Sequence, residues 1–340
     1  MKPYFPILEL LLYAFCVVSP GSFQNPPLKE FKISGFAQGT TFHITYYATD
    51  SIVSRPEVDS ILSKIDSSLS LYKSYSLINK FNNARTGIEI DDHFRTVVTR
   101  SLEIYKITNG VSDITIYPLM KVWGFGAQPS LEKPDSAGIR SLMPCIGAEK
   151  IHISRNRLLK NTPCVQIDVN GIAQGYSVDI IAQFLDKNRI INYIVEIGGE
   201  VRVRGRKQPG NRLMKIGMES PAENSFDEPV LKKIIQLQEG AVTTSGNYRK
   251  YIEREGKKIV HLMNPKTGYP FQNELISVTV YAKDAITADG YDNALMGMGL
   301  KKALSFLKKH KEMEAYFIYR NSEGIVADTA TTGFYKLIQH

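Results

Sequence analysis

Tyr193-Ile194-Val195-Glu196-Ile197-Gly198-Gly199-Glu200-Val201-Arg202-Val203-Arg204-Gly205 opens the part of the chain, residues 193–282, whose reading decides the fold. One β-type stretch follows another: YIVEIGGEVRVRG (193–205), MKIGME (214–219), LKKIIQLQ (231–238), AVTTSG (241–246), KKIVHLM (257–263) and LISVTVYA (275–282). Working outward, the pattern predicts a helical pair at 286–298 and 300–310, then strands at AYFIYR (315–320) and GIVAD (324–328). Upstream, 31–49 alternates apolar positions broken by Gly35 and Gly39, as in a strand, a tight connection and a strand. Val58, Ile61, Leu62, Ile65 and Leu69 recur at helical spacing up to about Tyr72, and a second helix covers 93–108 before Asn109-Gly110 stops it. Residues 151–168 resemble two short strands, and a helix runs from Ile172 to about Lys187. Helices set among runs of antiparallel-type strands give an α+β fold rather than a doubly wound parallel sheet.

The chain has 340 residues, 43% hydrophobic and 22% charged, an ordinary globular composition that allows one large domain or two intimate ones. The net charge of +8 suits an anionic ligand, an acidic partner or a membrane surface, or is simply a solvated basic surface. Without zinc-type spacing, a helix-turn-helix or an aromatic-basic RNA signature, nucleic acid is not expected as a partner. Met1-Lys2, the apolar Ile7 to Val18 (interrupted by Glu9) and Ser19-Pro20-Gly21 have the layout of a secretory signal over residues 1–21, leaving 22–340 as a single domain. Phe15 before Cys16 fits a lipoprotein cleavage box poorly, so lipid attachment to a membrane is the lesser alternative. Cys145 and Cys164 would remain after export, as one disulfide or as two buried thiols.

Near the C-terminal end, Asp289, Asp292 and Asn293 stand at i, i+3 and i+4 within ADGYDNAL (288–295), so a helix puts all three side chains on one face. Two carboxylates and an amide oxygen suit a hard divalent cation. The competing reading makes Asp289 an N-cap and Asp292 a first-turn acid.

Other stretches fall in order before this cluster: GFAQGT (35–40), LSLY (69–72) with NKFN (79–82), DIT (113–115) leading to PL (118–119) and WGFG (123–126), DVNGIAQGY (168–176), GGE (198–200), and TSGNYR (244–249) with HLMNPKTG (261–268). In this order they resemble the FAD:protein FMN transferase (ApbE) family over about residues 31–335. The resemblance implies a T-fold-like assembly of largely antiparallel sheet and packed helices. It also implies cleavage of FAD and attachment of FMN, through its phosphate, to a Thr or Ser hydroxyl of an acceptor protein, with release of AMP. The acceptor would be a flavoprotein subunit of an exported or membrane electron-transfer system, and the enzyme would work in the periplasm or on the outer face of the cytoplasmic membrane. Mg2+ would be required, with Mn2+ able to stand in. A metal-dependent FAD pyrophosphatase and a non-catalytic FAD-binding protein are the alternatives.

By family position Asp289, Asp292, Asn293 and the Gly171 carbonyl would hold the metal, with Asn293 where Thr is usual. Gln38, Tyr72, Val111, Ser112, Asp113, Asp168, Gln174 and Met263 would contact FAD. Gln38 stands where Met is usual, and Gln174 where Lys or Glu is common. His261 would take the acceptor hydroxyl proton or contact phosphate, alongside Asp289. Asn264, in place of the more common Asp, is assigned to a turn, Trp123 to packing, and Thr244 and Ser245 either to phosphate or to a turn.

Overall fold

Some of the strand-rich stretches join the two N-terminal strands in an eight-stranded sheet in which every neighbouring pair is antiparallel, while Met214–Ser220 pairs with Val230–Leu237, and Tyr251–Arg254 with Lys257–Val260, outside it. This computed structural model describes residues 26–127, 129–130, 134–220, 230–247, 251–254 and 257–339. The expected signal segment with Cys16, and Tyr248 and Arg249 of the TSGNYR stretch, lie outside the described residues.

Strand Tyr193–Ile197 sits inside the sheet, between Thr40–Ala48 and Glu200–Arg204. Gly198 and Gly199, with φ of 61° and 107°, make the turn between Tyr193–Ile197 and Glu200–Arg204, a left-handed pair of positions that Gly adopts without strain. Lys29–Ala37 forms one edge, and Glu239–Gly246, Leu275–Ala282, Glu314–Arg320 and Val326–Ala330 complete the order on the other side. The first strand runs straight through Gly35, and the tight connection is Gln38-Gly39.

Alternation along each strand assigns side chains to two layers. Tyr193, Val195 and Ile197 pack with Phe42, Ile44, Val178, Ile181 and Leu185, while Ile194 joins Val201, Val203, Met214, Ile235 and Phe334 on the opposite face. One face is therefore covered by helices and the other by the hairpin Met214–Ser220 with Val230–Leu237 and the short helix Thr332–Tyr335. In the helical layer Asn170–Lys187 and Ala285–Met298 lie against the sheet, with Arg55–Leu69 and Asp92–Ile107 packed beside them. Asp284 caps the Ala285 helix by accepting from the Thr287 N–H at 3.1 Å. Short helices at Leu77–Asn83, Tyr117–Trp123 and Ser136–Leu142 carry too few periodic positions to be read from the sequence. Cys145 and Cys164 are joined in a disulfide across a separation of 19 residues, with Cα atoms 5.4 Å apart.

Candidate active site

The site is built where the two central helices cross. Its first determinant is the absence of side chains at Gly171 and Gly175. A Cβ on Gly175 would lie 2.3 Å from the Ala285 carbonyl oxygen and 2.7 Å from the Asp289 Cβ, so only Gly permits this approach. Gly171 has non-helical dihedrals (φ −84°, ψ 17°), which break the regular repeat one turn earlier. The Gly175 N–H, whose regular helical acceptor would be the Gly171 carbonyl, donates to Asp289 Oδ2 at 2.8 Å. The Gly171 carbonyl faces the Asn293 side chain, 3.4 Å from Nδ2.

Asp289 and Asp292 are 4% and 1% exposed, and they lie inside the Ala285–Met298 helix rather than at its start. Asp284 holds the capping position, which removes the alternative reading of both acids as end-of-helix residues. Burial raises the Asp292 pKa well above the usual carboxylate range, and the Asp289 charge raises it further. The Glu200 charge acts in the same sense, and the Thr243 hydroxyl offsets only part of the effect. Asp292 Oδ1 is buried with no hydrogen-bond partner among the described residues. A buried carboxylate oxygen left this way costs free energy until something positive or a donor reaches it.

That orphaned oxygen tests whether the residues suit a cation, and they do. The donors are all oxygens, two of them carboxylates, as a hard divalent ion prefers. Among the described residues no group of three or more His, Cys, Asp or Glu is arranged as a metal site, so the set depends on neutral oxygens from Gly171 and Asn293. Asn293 Oδ1 accepts from the Ser245 hydroxyl at 2.8 Å while Nδ2 faces Gly171. A half-turn of the amide exchanges the two atoms, turning Oδ1 toward Gly171 and leaving Nδ2 to donate to Ser245 Oγ.

The same cleft is lined by Tyr72, Val111, Ser112, Asp113, Asp168 and Gln174, and by His261 and Met263. Tyr72 is 66% exposed at the mouth. Asp168 is buried, and its Oδ1 accepts from the Asn170 N–H at 2.8 Å, closing the strand-to-helix turn. Gln174 donates to the Ile197 carbonyl at 3.0 Å, reaching across to the Gly198 turn. Asp113 is fully engaged with protein: Oδ1 accepts from the Thr115 N–H (2.8 Å) and hydroxyl (2.6 Å), and Oδ2 from the Ala148 N–H (3.2 Å). Burial still pushes its pKa up. His261 lies just past the strand Lys257–Val260, edge-on to Phe125 with ring centroids 6.4 Å apart. Met263 is 2% exposed and belongs to a small core with Leu119, Trp123, Ile139 and Ile146.

Gln38 is not brought to this cleft. It occupies the turn between the first two strands with φ 54°, and its side chain donates to Ser177 Oγ at 2.9 Å. Trp123 is buried and donates to the Gly268 carbonyl at 2.8 Å, and Asn264 Oδ1 accepts from the Lys266 N–H at 2.9 Å. These are the packing and turn roles expected. Thr244 and Ser245 lie on a strand rather than in a turn.

Several contributors carry no role in the sequence reading. Glu200 and Thr243 line or adjoin the acid pair, and only the β alternation that sets Thr243 with Ser245 could have suggested it. Asn79 Nδ2 donates to the carbonyls of Leu71 (3.0 Å) and Lys73 (2.9 Å), fixing the loop that presents Tyr72. Asn82 bonds both backbone groups of Ile167, at 2.7 and 2.9 Å, and so places Asp168.

A family model described as the ApbE family matches residues 38–317. The FAD:protein FMN transferase of Haemophilus influenzae is 34% identical over 324 residues, covering 92% of this chain and 92% of the relative. The relative of the same description from Vibrio cholerae is 32% identical, covering 94% and 93%. Among solved structures, the flavin transferase ApbE from Vibrio cholerae superposes with a TM-score of 0.81 at 29% identity, over 92% of this chain and all 100% of that one. The apo flavinyl transferase ApbE of Pseudomonas stutzeri gives 0.81 at 31% identity, over 92% and 97%.

Proposed function

The chain belongs to the ApbE family, and from that membership we infer that it is a FAD:protein FMN transferase: it cleaves FAD, attaches FMN through a phosphoester to a Thr or Ser of an exported acceptor protein, and releases AMP. The observation that carries the reading is the buried pair Asp289 and Asp292, with its unpartnered Asp292 oxygen, lining the same cleft as Gly171. Asp289, Asp292, the Gly171 carbonyl and Asn293 would hold Mg2+, which when bound would withdraw charge from the diphosphate and stabilise the charge that develops on the AMP phosphate as it leaves.

The protein's own groups do the remaining work. Asp168 and Gln174, on the two sides of the turn into the Asn170 helix, line the cleft in which FAD would lie. Tyr72 at the mouth supplies an exposed ring for stacking on an aromatic substrate. His261 would accept the proton of the acceptor hydroxyl as its oxygen attacks the FMN phosphorus. Export fits the disulfide, because such bonds persist in oxidising compartments.

Incubation with FAD, Mg2+ and a candidate acceptor, followed by mass spectrometry, should find an FMN adduct on one acceptor Thr or Ser. Asp289→Ala should abolish it without unfolding the protein. Release of FMN and AMP at the same rate without acceptor would instead assign a pyrophosphatase.

A further inference from the structure

The crossing of the two central helices is a ladder with a repeat of four residues. Asn293 meets Gly171, and Asp289 meets Gly175. The next step in each direction along the two helices pairs Ala285 with Asp179, and there the contact is polar: Asp179 Oδ1 accepts from the Ala285 N–H at 3.0 Å and Oδ2 from the Ile286 N–H at 2.9 Å. These are the first two N–H groups of the helix that carries the acids, groups with no acceptor inside their own helix. Asp179 is buried and is itself held by Arg202, which reaches it from the strand Glu200–Arg204. Arg202 is two residues from Glu200, which adjoins Asp292.

We propose that Asp179, clamped by Arg202, is the positioning residue that sets the register of the acid-bearing helix against Gly171. The inference rests on the metal-dependent reading of the same site. Gly at 171 and 175 lets the helices approach, but the hydrogen bonds made there use the same Asp289 and Asn293 side chains that would hold the metal, so a directional contact independent of the ligands has to come from elsewhere. The Asp179 carboxylate supplies that direction, gripping two consecutive N–H groups as a bidentate acceptor. A four-residue step is one helical turn, so any slip at this end moves Asp289 away from the Gly175 N–H and Asn293 away from Gly171. Asp179 touches neither substrate nor metal in this scheme.

The test compares the native protein, Asp179→Asn, and the double variant Asp179→Asn with Arg202→Met, which avoids stranding a half-buried guanidinium if the single variant fails to fold. Mn2+ binding is read by electron paramagnetic resonance without FAD, and amide exchange at Gly175 is read in EDTA. The expected result is about tenfold or greater weakening of Mn2+ binding, the usual consequence of losing a group that orients ligands. Gly175 should exchange faster, with the thermal unfolding of the double variant still cooperative. Native-like Mn2+ affinity and Gly175 protection in a folded variant would overturn the proposal. If native protein binds no Mn2+ yet Gly175 loses protection in the variants, the register role stands and the metal reading fails.

Discussion

The cleft has two walls built by opposite means, and the contrast between Asp292 and Asp113 shows what each wall is for. Both acids are buried, and burial raises the pKa of both. Asp113, on the loop wall, spends both oxygens on Thr115 and Ala148. Asp292, on the helical wall, keeps Oδ1 unpartnered among the described residues, with Asp289 adding like charge beside it. A buried acid whose oxygens are all bonded is part of the scaffold; one with an oxygen left unpartnered marks where a ligand belongs.

The hardest attempt to break this contrast is Asp292→Asn. Transfer should fall about 10²–10³-fold, the range for removing a preorganised charge-stabilising group. Stability in EDTA should hold or rise, because a repelled charge has been removed. The same logic fixes a pH dependence. The folded-state pKa of Asp292 is raised, so the folded protein keeps its proton over a range in which the unfolded chain has lost it. In EDTA, stability should therefore decline as pH rises from about 4, the ordinary Asp value, toward the raised value. Saturating Mg2+ should flatten that decline, and thermal unfolding from pH 4 to 8 with and without Mg2+ checks it.

The loop wall should respond in stability instead. The disulfide joins its two segments: Cys145 precedes the Gly147 and Ala148 N–H groups that bond Thr115 and Asp113, and Cys164 precedes Asp168. Replacing both cysteines by Ser should cost about 3 kcal/mol in chemical denaturation, as expected for closing a loop of this length. Asp113→Asn should cost about 1–3 kcal/mol, because an amide NH2 is forced against backbone donors. Both variants should keep Mg2+ dependence at saturating FAD. If Asp113→Asn raised the Mg2+ requirement as much as Asp292→Asn, the two walls would not be distinct in function.

The sequence carried the sheet and the acid pair because both are local patterns. Period-two alternation and Gly198-Gly199 fix strands and turn within a few residues, and the i, i+3, i+4 spacing fixes the shared face of Asp289, Asp292 and Asn293. What stayed hidden depends on partners far along the chain. Asp113 needs Ala148, Cys145 needs Cys164, and Asp179 needs both Arg202 and the start of a helix about a hundred residues later. The capping reading of Asp289 survived in the sequence because helix starts are uncertain by a few residues, and Asp284 resolved it only once the helix was placed.

Gln38 gives the smallest expected effect and the sharpest check on where the cleft ends. Its family position implies contact with FAD, yet its amide is committed to Ser177, and Asp66 also hydrogen-bonds it. A left-handed residue in a two-strand turn aims its side chain as the turn dictates, and here that direction is the flank of the Asn170 helix rather than the cleft. Gln38→Ala should cost at most about 1 kcal/mol, the net worth of a partly exposed hydrogen bond. FAD affinity, followed by fluorescence titration, should change less than about twofold, since nothing that lines the cleft is removed. A tenfold loss would mean that the turn swings to meet FAD, and the cleft would then extend past Gly198 to the sheet edge.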